Sequence, residues 1–131
     1  MEKVSHLDFD KVPDPTSIVA GLIQDARKAM EEFYLANQGQ VDEAVTALAW
    51  SIFEFTRARE LAEIAVEDTG LGDVESKVIK NTRKTFGTLR DLLRVKTVGI
   101  IEQDYEKGIV KYAKPVGVVA AIAPSTNPAA T

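Results

Sequence analysis

Lys114-Pro-Val-Gly-Val-Val-Ala-Ala-Ile-Ala-Pro-Ser-Thr-Asn-Pro-Ala-Ala-Thr131 is the stretch on which the fold class turns. From Val116 to Ala123 it carries no charged and no polar side chain. Such a run suits a strand covered on both faces, as in a parallel sheet packed by helices. The residues that follow, Pro124-Ser-Thr-Asn-Pro128, read as a turn bearing hydroxyl and amide groups. In open α/β sheets, ligands sit just beyond the carboxyl ends of strands. This turn is therefore the candidate binding element. A parallel sheet needs further strands and none follow Ala123, so the expectation is an incomplete α/β fold, the front portion of a larger protein.

Upstream of this stretch the hydrophobic period is helical. Residues 1–13 read as an extended or mobile leader. Asp14-Pro15 is a helix start, because Asp accepts free backbone N–H groups and Pro suits the first helical position. Ile18, Leu22, Ala26, Ala29 and Phe33 then recur at helical spacing, with Gly39 as the expected stop. From near Val41 a second stripe runs through Val45, Leu48, Ala49, Ile52 and Phe53. Leu61, Ala62, Ile64 and Ala65 continue it past a break expected between Thr56 and Arg59, since an unbroken helix reaching Gly70 would be unusually long. Gly70 supplies the left-handed conformation that closes a helix.

Asp73 caps the next helix. Val78, Ile79, Thr82, Phe86, Leu89, Leu92 and Leu93 are expected to face inward. Lys77, Lys80, Arg83, Lys84 and Arg90 would form a basic outer face. After Lys96 the period shortens. Val98–Ile101 and Ile109–Ala113 are β-like runs, and the polar Gln103-Asp-Tyr-Glu-Lys-Gly108 between them suits a hairpin turn with a bulge. Pro115 marks an edge or crossover. The divisions are a leader (1–13), a helical segment (14–96), a hairpin (97–114) and the start of a sheet domain (115–131).

Composition narrows the function classes. Of 131 residues, 45% are hydrophobic and 27% charged, as in an ordinary globular domain. The net charge of −4 argues against nucleic acid or an anionic membrane as partner, because both need a basic face. The sequence has no cysteine, so these residues supply no disulfide, no Cys-ligated metal and no thiol nucleophile. The first ten residues lack an apolar core of signal-peptide length, and no apolar run approaches the ~20 residues of a membrane span. A cytoplasmic location is expected. His6 is the only histidine and has no metal-ligating partner, so no metal is expected.

Chemistry concentrates in the turn. An Asn127 amide can donate to a developing oxyanion, an interaction worth roughly 3–4 kcal/mol of barrier. Asn127-Pro128 also reads as an ordinary helix start, with Asn as cap. The two roles are compatible, since a capped helix beside a sheet is itself an anion site. Lys77 and Lys80 lie one turn apart and can meet a phosphate, although a solvated helix face accounts for them as well. Acidic pairs such as Glu31-Glu32 read as solvated faces, and Trp50 as core or interface. There is no Gly-x-Gly-x-x-Gly and no Walker loop.

The ending Lys114-Pro-Val-Gly-Val-Val…Ile122-Ala-Pro-Ser-Thr-Asn-Pro resembles the start of the nucleotide-binding domain in the aldehyde dehydrogenase superfamily. Ordinary members have Pro-Trp-Asn-Phe-Pro here, whereas Pro-Ser-Thr-Asn-Pro resembles the CoA-acylating branch, including the aldehyde dehydrogenase half of bifunctional aldehyde/alcohol dehydrogenases. Ala65-Val-Glu-Asp-Thr-Gly-Leu-Gly72 with Lys77-Val-Ile-Lys-Asn81 is similar to a helix-end signature of the same branch. The resemblance spans about two-thirds of the chain.

It implies a Rossmann-like domain beginning at residue 115, NAD or NADP as cofactor, coenzyme A as co-substrate and a small aldehyde as substrate. It further implies that Ile122, Ala123, Pro124, Ser125 and Thr126 are cofactor-proximal, with Asn127 as the oxyanion-side amide. Thr126 is the alternative, because the ordinary family's Asn aligns there without a gap. The hairpin would be an oligomerisation element of a homo-oligomer. The family's nucleophilic cysteine lies beyond residue 131, so these residues alone are expected to be inactive. A different reading makes the chain a complete helical assembly or adaptor protein that pairs its C-terminal strand with a partner's sheet edge. A third uses the leader and first helix as a docking segment.

Overall fold

The computed structural model describes residues 14–131. The expected leader, and with it the docking reading of that segment, lies outside the described residues. Four helices precede a two-stranded antiparallel sheet: α1 (Pro15–Phe33), α2 (Gln38–Phe53), α3 (Phe55–Thr69), α4 (Val74–Leu92), β1 (Gly99–Asp104) and β2 (Ile109–Ala113). This helix-then-hairpin order is the expected one. It falls into two compact units.

The first unit holds α1 together with Val116–Val119. Asp14 caps α1, its carboxylate accepting from Thr16 N and Ser17 N at 3.2 Å each. The apolar side chains Ile18, Leu22 and Phe33 are exposed. Gly117 takes φ 94°, and a Cβ there would stand 3.6 Å from Met30 Sδ.

The second unit holds residues 36–115 and 120–131. Its helices start and stop for local reasons. Asn37 and Gln40 form a reciprocal capping box at the start of α2: Gln40 N donates to Asn37 Oδ1 and Asn37 N to Gln40 Oε1. Gly39 therefore lies inside α2 and is not a stop, correcting the expectation. The break between α2 and α3 falls at Glu54, just ahead of the expected 56–59. Glu54 takes ψ 130° and its carboxylate accepts from Thr56 N and Arg57 N, so one residue closes α2 and opens α3. Gly70 closes α3 at φ 64°, as expected.

Helices α2, α3 and α4 pack on one another. The core of this packing is small: Ala58, Ala62 and Val78, with Val74 against them. Alanine at the contact lets the helix axes approach, and the Asn81 amide donates across it to the Ala58 carbonyl at 3.0 Å. Arg59 adds an outer link, meeting Glu75 at 2.7 Å and Glu63 at 3.7 Å. The expected inward face of α4 holds only in part. Val78 is buried and Thr82 and Leu89 are half-buried, while Ile79, Phe86, Leu92 and Leu93 are exposed.

The hairpin pairs Gly99 with Ala113 and Asp104 with Ile109; the bulge expected with the turn at 103–108 is found instead inside β1, where the register shifts between Ile100 and Glu102. Gly108 closes the turn at φ 66°. Gln38 ties the hairpin's entry to α2, its Oε1 accepting from Thr97 N at 2.8 Å and Val98 N at 3.1 Å.

Val116–Ala123 does not behave as the buried strand expected of it. It has no ladder partner, and Val116, Val119 and Ile122 are exposed, Ile122 at 97%. The physical reason is that a strand of this kind needs neighbours on both edges and helices on both faces. Among the described residues no third strand is present.

Candidate functional site

The turn that follows this run is held from beneath by α4. Asp73 starts that helix, its carboxylate accepting from Ser76 N at 2.8 Å. That backbone bond, followed by the bond to the Ser76 side chain, keeps the Asp73 pKa below the usual carboxylate value. One turn on, Lys77 is buried at 6% exposure, and its ammonium donates to the Thr126 carbonyl at 2.7 Å. Lys80, exposed, donates to Asn127 Oδ1 at 3.1 Å. Asn81 is buried beside them.

Lys77 is thus a correction. It was expected on a basic outer face with Lys80, Arg83, Lys84 and Arg90, and it lies in the helix packing instead. The signal was present in the sequence: Lys77 and Asn81 stand four residues apart, on the face that carries Val74 and Val78. Lys80 is exposed as expected, yet its partner is the turn.

The cofactor-side candidates Ile122, Ala123, Pro124, Ser125 and Thr126 are all exposed, and Asn127 is half-buried. Asn127 does not cap a helix with its side chain. Its Oδ1 is taken by Lys80, and the turn after Pro128 is closed by Thr131 Oγ1 donating to Asn127 O at 2.8 Å. With the amide oxygen engaged, the NH2 end is the one left to donate.

Beneath the turn a crevice of about 10 Å³ is lined by Leu61, Ala62, Ala65, Lys77, Asn81 and Asn127 among others. It is at the lower limit for one water molecule and takes no larger ligand. The groups of the turn suit a carboxamide or an oxyanion. They do not suit a pyrophosphate, which needs a run of converging backbone N–H groups. The turn can therefore supply one wall of a dinucleotide site and no more. No group of acidic or histidine side chains able to hold a metal occurs among the described residues.

Elsewhere in the second unit an open apolar groove of about 160 Å³ runs between α2 and α4, lined by Thr46, Ala49, Trp50, Phe53, Thr85, Phe86 and Leu89. Phe53 stands between the other two rings, 5.8 Å from Trp50 and 5.9 Å from Phe86. Of the two roles expected for Trp50, core is not met, since its side chain is 59% exposed.

No protein-family model matches the chain. Individual proteins do. The acylating sulfoacetaldehyde dehydrogenase of Cupriavidus necator is 59% identical over 113 residues, 86% of this chain and 23% of that protein. Its namesake in Bilophila wadsworthia is 51% identical over 106 residues, 81% of this chain and 23% of that protein. An acetylating aldehyde dehydrogenase of known structure from Geobacillus thermoglucosidasius superposes with a TM-score of 0.81 at 38% identity, over 86% of this chain and 24% of that one.

The chain is similar to the acylating aldehyde dehydrogenases. It corresponds to an N-terminal portion of these oxidoreductases and spans about a quarter of their length. The fold likeness to the acetylating enzyme agrees with an incomplete α/β fold. No helix among the described residues is long and apolar enough to cross a membrane.

Proposed function

We propose that the chain is the N-terminal part of an NAD(P)-dependent, CoA-acylating dehydrogenase, and that its aldehyde is sulfoacetaldehyde. The observation that carries this is the 59% identity to the Cupriavidus necator enzyme, against 40% to the acetylating succinate-semialdehyde dehydrogenase of Clostridium kluyveri. The balanced reaction is aldehyde plus CoA thiol plus NAD(P)+ giving acyl-CoA, NAD(P)H and a proton. The nucleophilic thiol must come from outside these residues, because they contain no cysteine. The 131 residues alone should therefore not turn over.

Within this reading, bound NAD(P) supplies the hydride acceptor. Ile122, Ala123, Pro124, Ser125 and Thr126 form the wall on its nicotinamide side. The Asn127 amide donates to the oxygen on which charge develops, with Thr126 as the alternative donor. The engagement of Asn127 Oδ1 by Lys80 supports Asn127, because it leaves the NH2 to donate. The hairpin β1–β2 serves as an oligomerisation surface.

The test is an assay of the full-length protein for NAD(P)H formation dependent on both aldehyde and CoA. Sulfoacetaldehyde should give the highest kcat/KM among sulfoacetaldehyde, succinate semialdehyde and acetaldehyde. Asn127→Ala should lower kcat by roughly 10²–10³-fold, the scale of losing one oxyanion donor, while NADH still binds. Activity without CoA, or an unchanged kcat in Asn127→Ala with a large loss in Thr126→Ala, would count against the corresponding parts.

A further inference from the structure

The reading above gives Lys77 no role and uses Lys80 only as the partner of Asn127 Oδ1, although both side chains bond to the turn. Lys77 is the more demanding of the two. An ammonium loses its hydration on burial and needs strong partners in return. It also sits in the first turn of α4, where the positive end of the helix dipole disfavours a cation. Among the described residues no carboxylate lies within ion-pair distance of it. Its hydrogen-bond partner is a neutral one, the Thr126 carbonyl at 2.7 Å. An apolar side chain would fill this place in the packing without that cost. Besides a longer-range attraction to the Asp73 carboxylate, the ammonium supplies the bond to the turn.

That bond has a geometric consequence. The peptide between Thr126 and Asn127 is trans and planar, so its C=O and N–H point in opposite directions. Fixing the carbonyl on Lys77 aims the Asn127 N–H away from α4. Lys80, three residues on and on a neighbouring part of the helix surface, takes the Asn127 side-chain oxygen at 3.1 Å. The NH2 is then the end left to donate, and the cation on the amide oxygen polarises the amide and strengthens it as a donor.

We infer that Lys77 and Lys80 are positioning residues for Asn127: Lys77 sets the peptide plane that carries it and Lys80 sets the orientation of its amide. This rests on the reading of Asn127 as the oxyanion-side donor. The kinetic test uses the full-length enzyme and a double-mutant cycle. Lys80→Met should lower kcat about tenfold with KM for CoA and NADH affinity unchanged, and Lys80→Arg should restore most of the loss. In an Asn127→Ala background Lys80→Met should have no further effect, because residues that act through one another are not additive. An equal loss in both backgrounds would overturn the inference, as would no loss in the wild-type background.

A second readout is independent of activity. Hydrogen exchange across residues 122–131 should quicken about tenfold in Lys77→Met and in Lys80→Met, while exchange in α3 stays at the wild-type rate. Unchanged exchange at the turn overturns the inference whatever the kinetics show. If the wild-type enzyme lacks the proposed activity, or Asn127→Ala retains full kcat, the functional reading fails, and the exchange data still decide whether the two lysines hold the turn.

Discussion

Asp73 shows how much a single side chain fixes here. Its carboxylate bonds to the Ser76 backbone N–H and, secondarily, to the Ser76 side chain, and these bonds hold its folded pKa below the unfolded value. The folded chain then binds the proton less tightly than the unfolded chain. The stabilisation is complete above about pH 4 and is lost as pH falls through the folded value. Glu54 and Asp104 are lowered in the same direction, Glu54 first by the Thr56 backbone and Asp104 first by the Lys107 ammonium. Thermal melts in dilute solution should therefore show stability falling below about pH 4. Asp73→Asn keeps a capping oxygen but cannot titrate, so it should flatten part of that fall; an unaltered acid slope would refute the assignment. Asn37→Ala should cost about 1 kcal/mol at neutral pH, the usual worth of such a cap, and a denaturant titration would read it. At this scale the sequence was legible where the signal is local. Asp14, Gly70 and Asp73 act within four residues of themselves. The place of Lys77 on the face of Val74, Val78 and Asn81 was legible, but its residue type sorted it to the surface, and its partner, 49 positions away, was not legible.

At the scale of elements, the sequence marks which segments form helices better than it marks where they end. The α2–α3 break was expected at Thr56–Arg59 and falls at Glu54 because a glutamate, seldom favoured as a cap, turns its carboxylate back onto Thr56 and Arg57. Gly39 looked like a stop because glycine usually closes helices, yet the Asn37–Gln40 pair had already opened α2. The hairpin was legible from its two apolar runs and its polar, glycine-ended turn. Its attachment was not, because Gln38 reaches Thr97 and Val98 across some sixty residues. Gln38→Ala should leave β1–β2 paired and raise exchange at the Thr97 and Val98 amides alone. Exchange spreading through Gly99–Asp104 would mean that the hairpin depends on this anchor.

Over the whole molecule, the apolar surface left in contact with water is the dominant fact. Trp50, Phe86 and Leu48 on the second unit, and Ile18 and Leu22 on α1, are exposed, as is Ile122 beyond the hairpin. Exposed apolar patches of this kind favour association. The 131-residue chain expressed alone should self-associate with rising concentration in sedimentation velocity, and a monodisperse, cooperatively melting monomer would contradict this. The composition of the run Val116–Ala123 pointed to the fold class through the surroundings such a strand requires, and those surroundings are not supplied by the described residues.

The bond from Lys77 to Thr126 also bears on how the protein is made. Synthesis proceeds from the N-terminus at roughly 5–20 residues per second, so α3 and α4 leave the ribosome seconds before the turn does. Until Thr126 emerges, the Lys77 ammonium lacks the carbonyl that it bonds in the folded chain, so its dehydration is expected to wait for the turn. Nascent chains of the full-length protein arrested with α4 outside the exit tunnel and residues 122–131 still inside it should already show α3–α4 protected from exchange, with Lys77 still open to amine-reactive labelling.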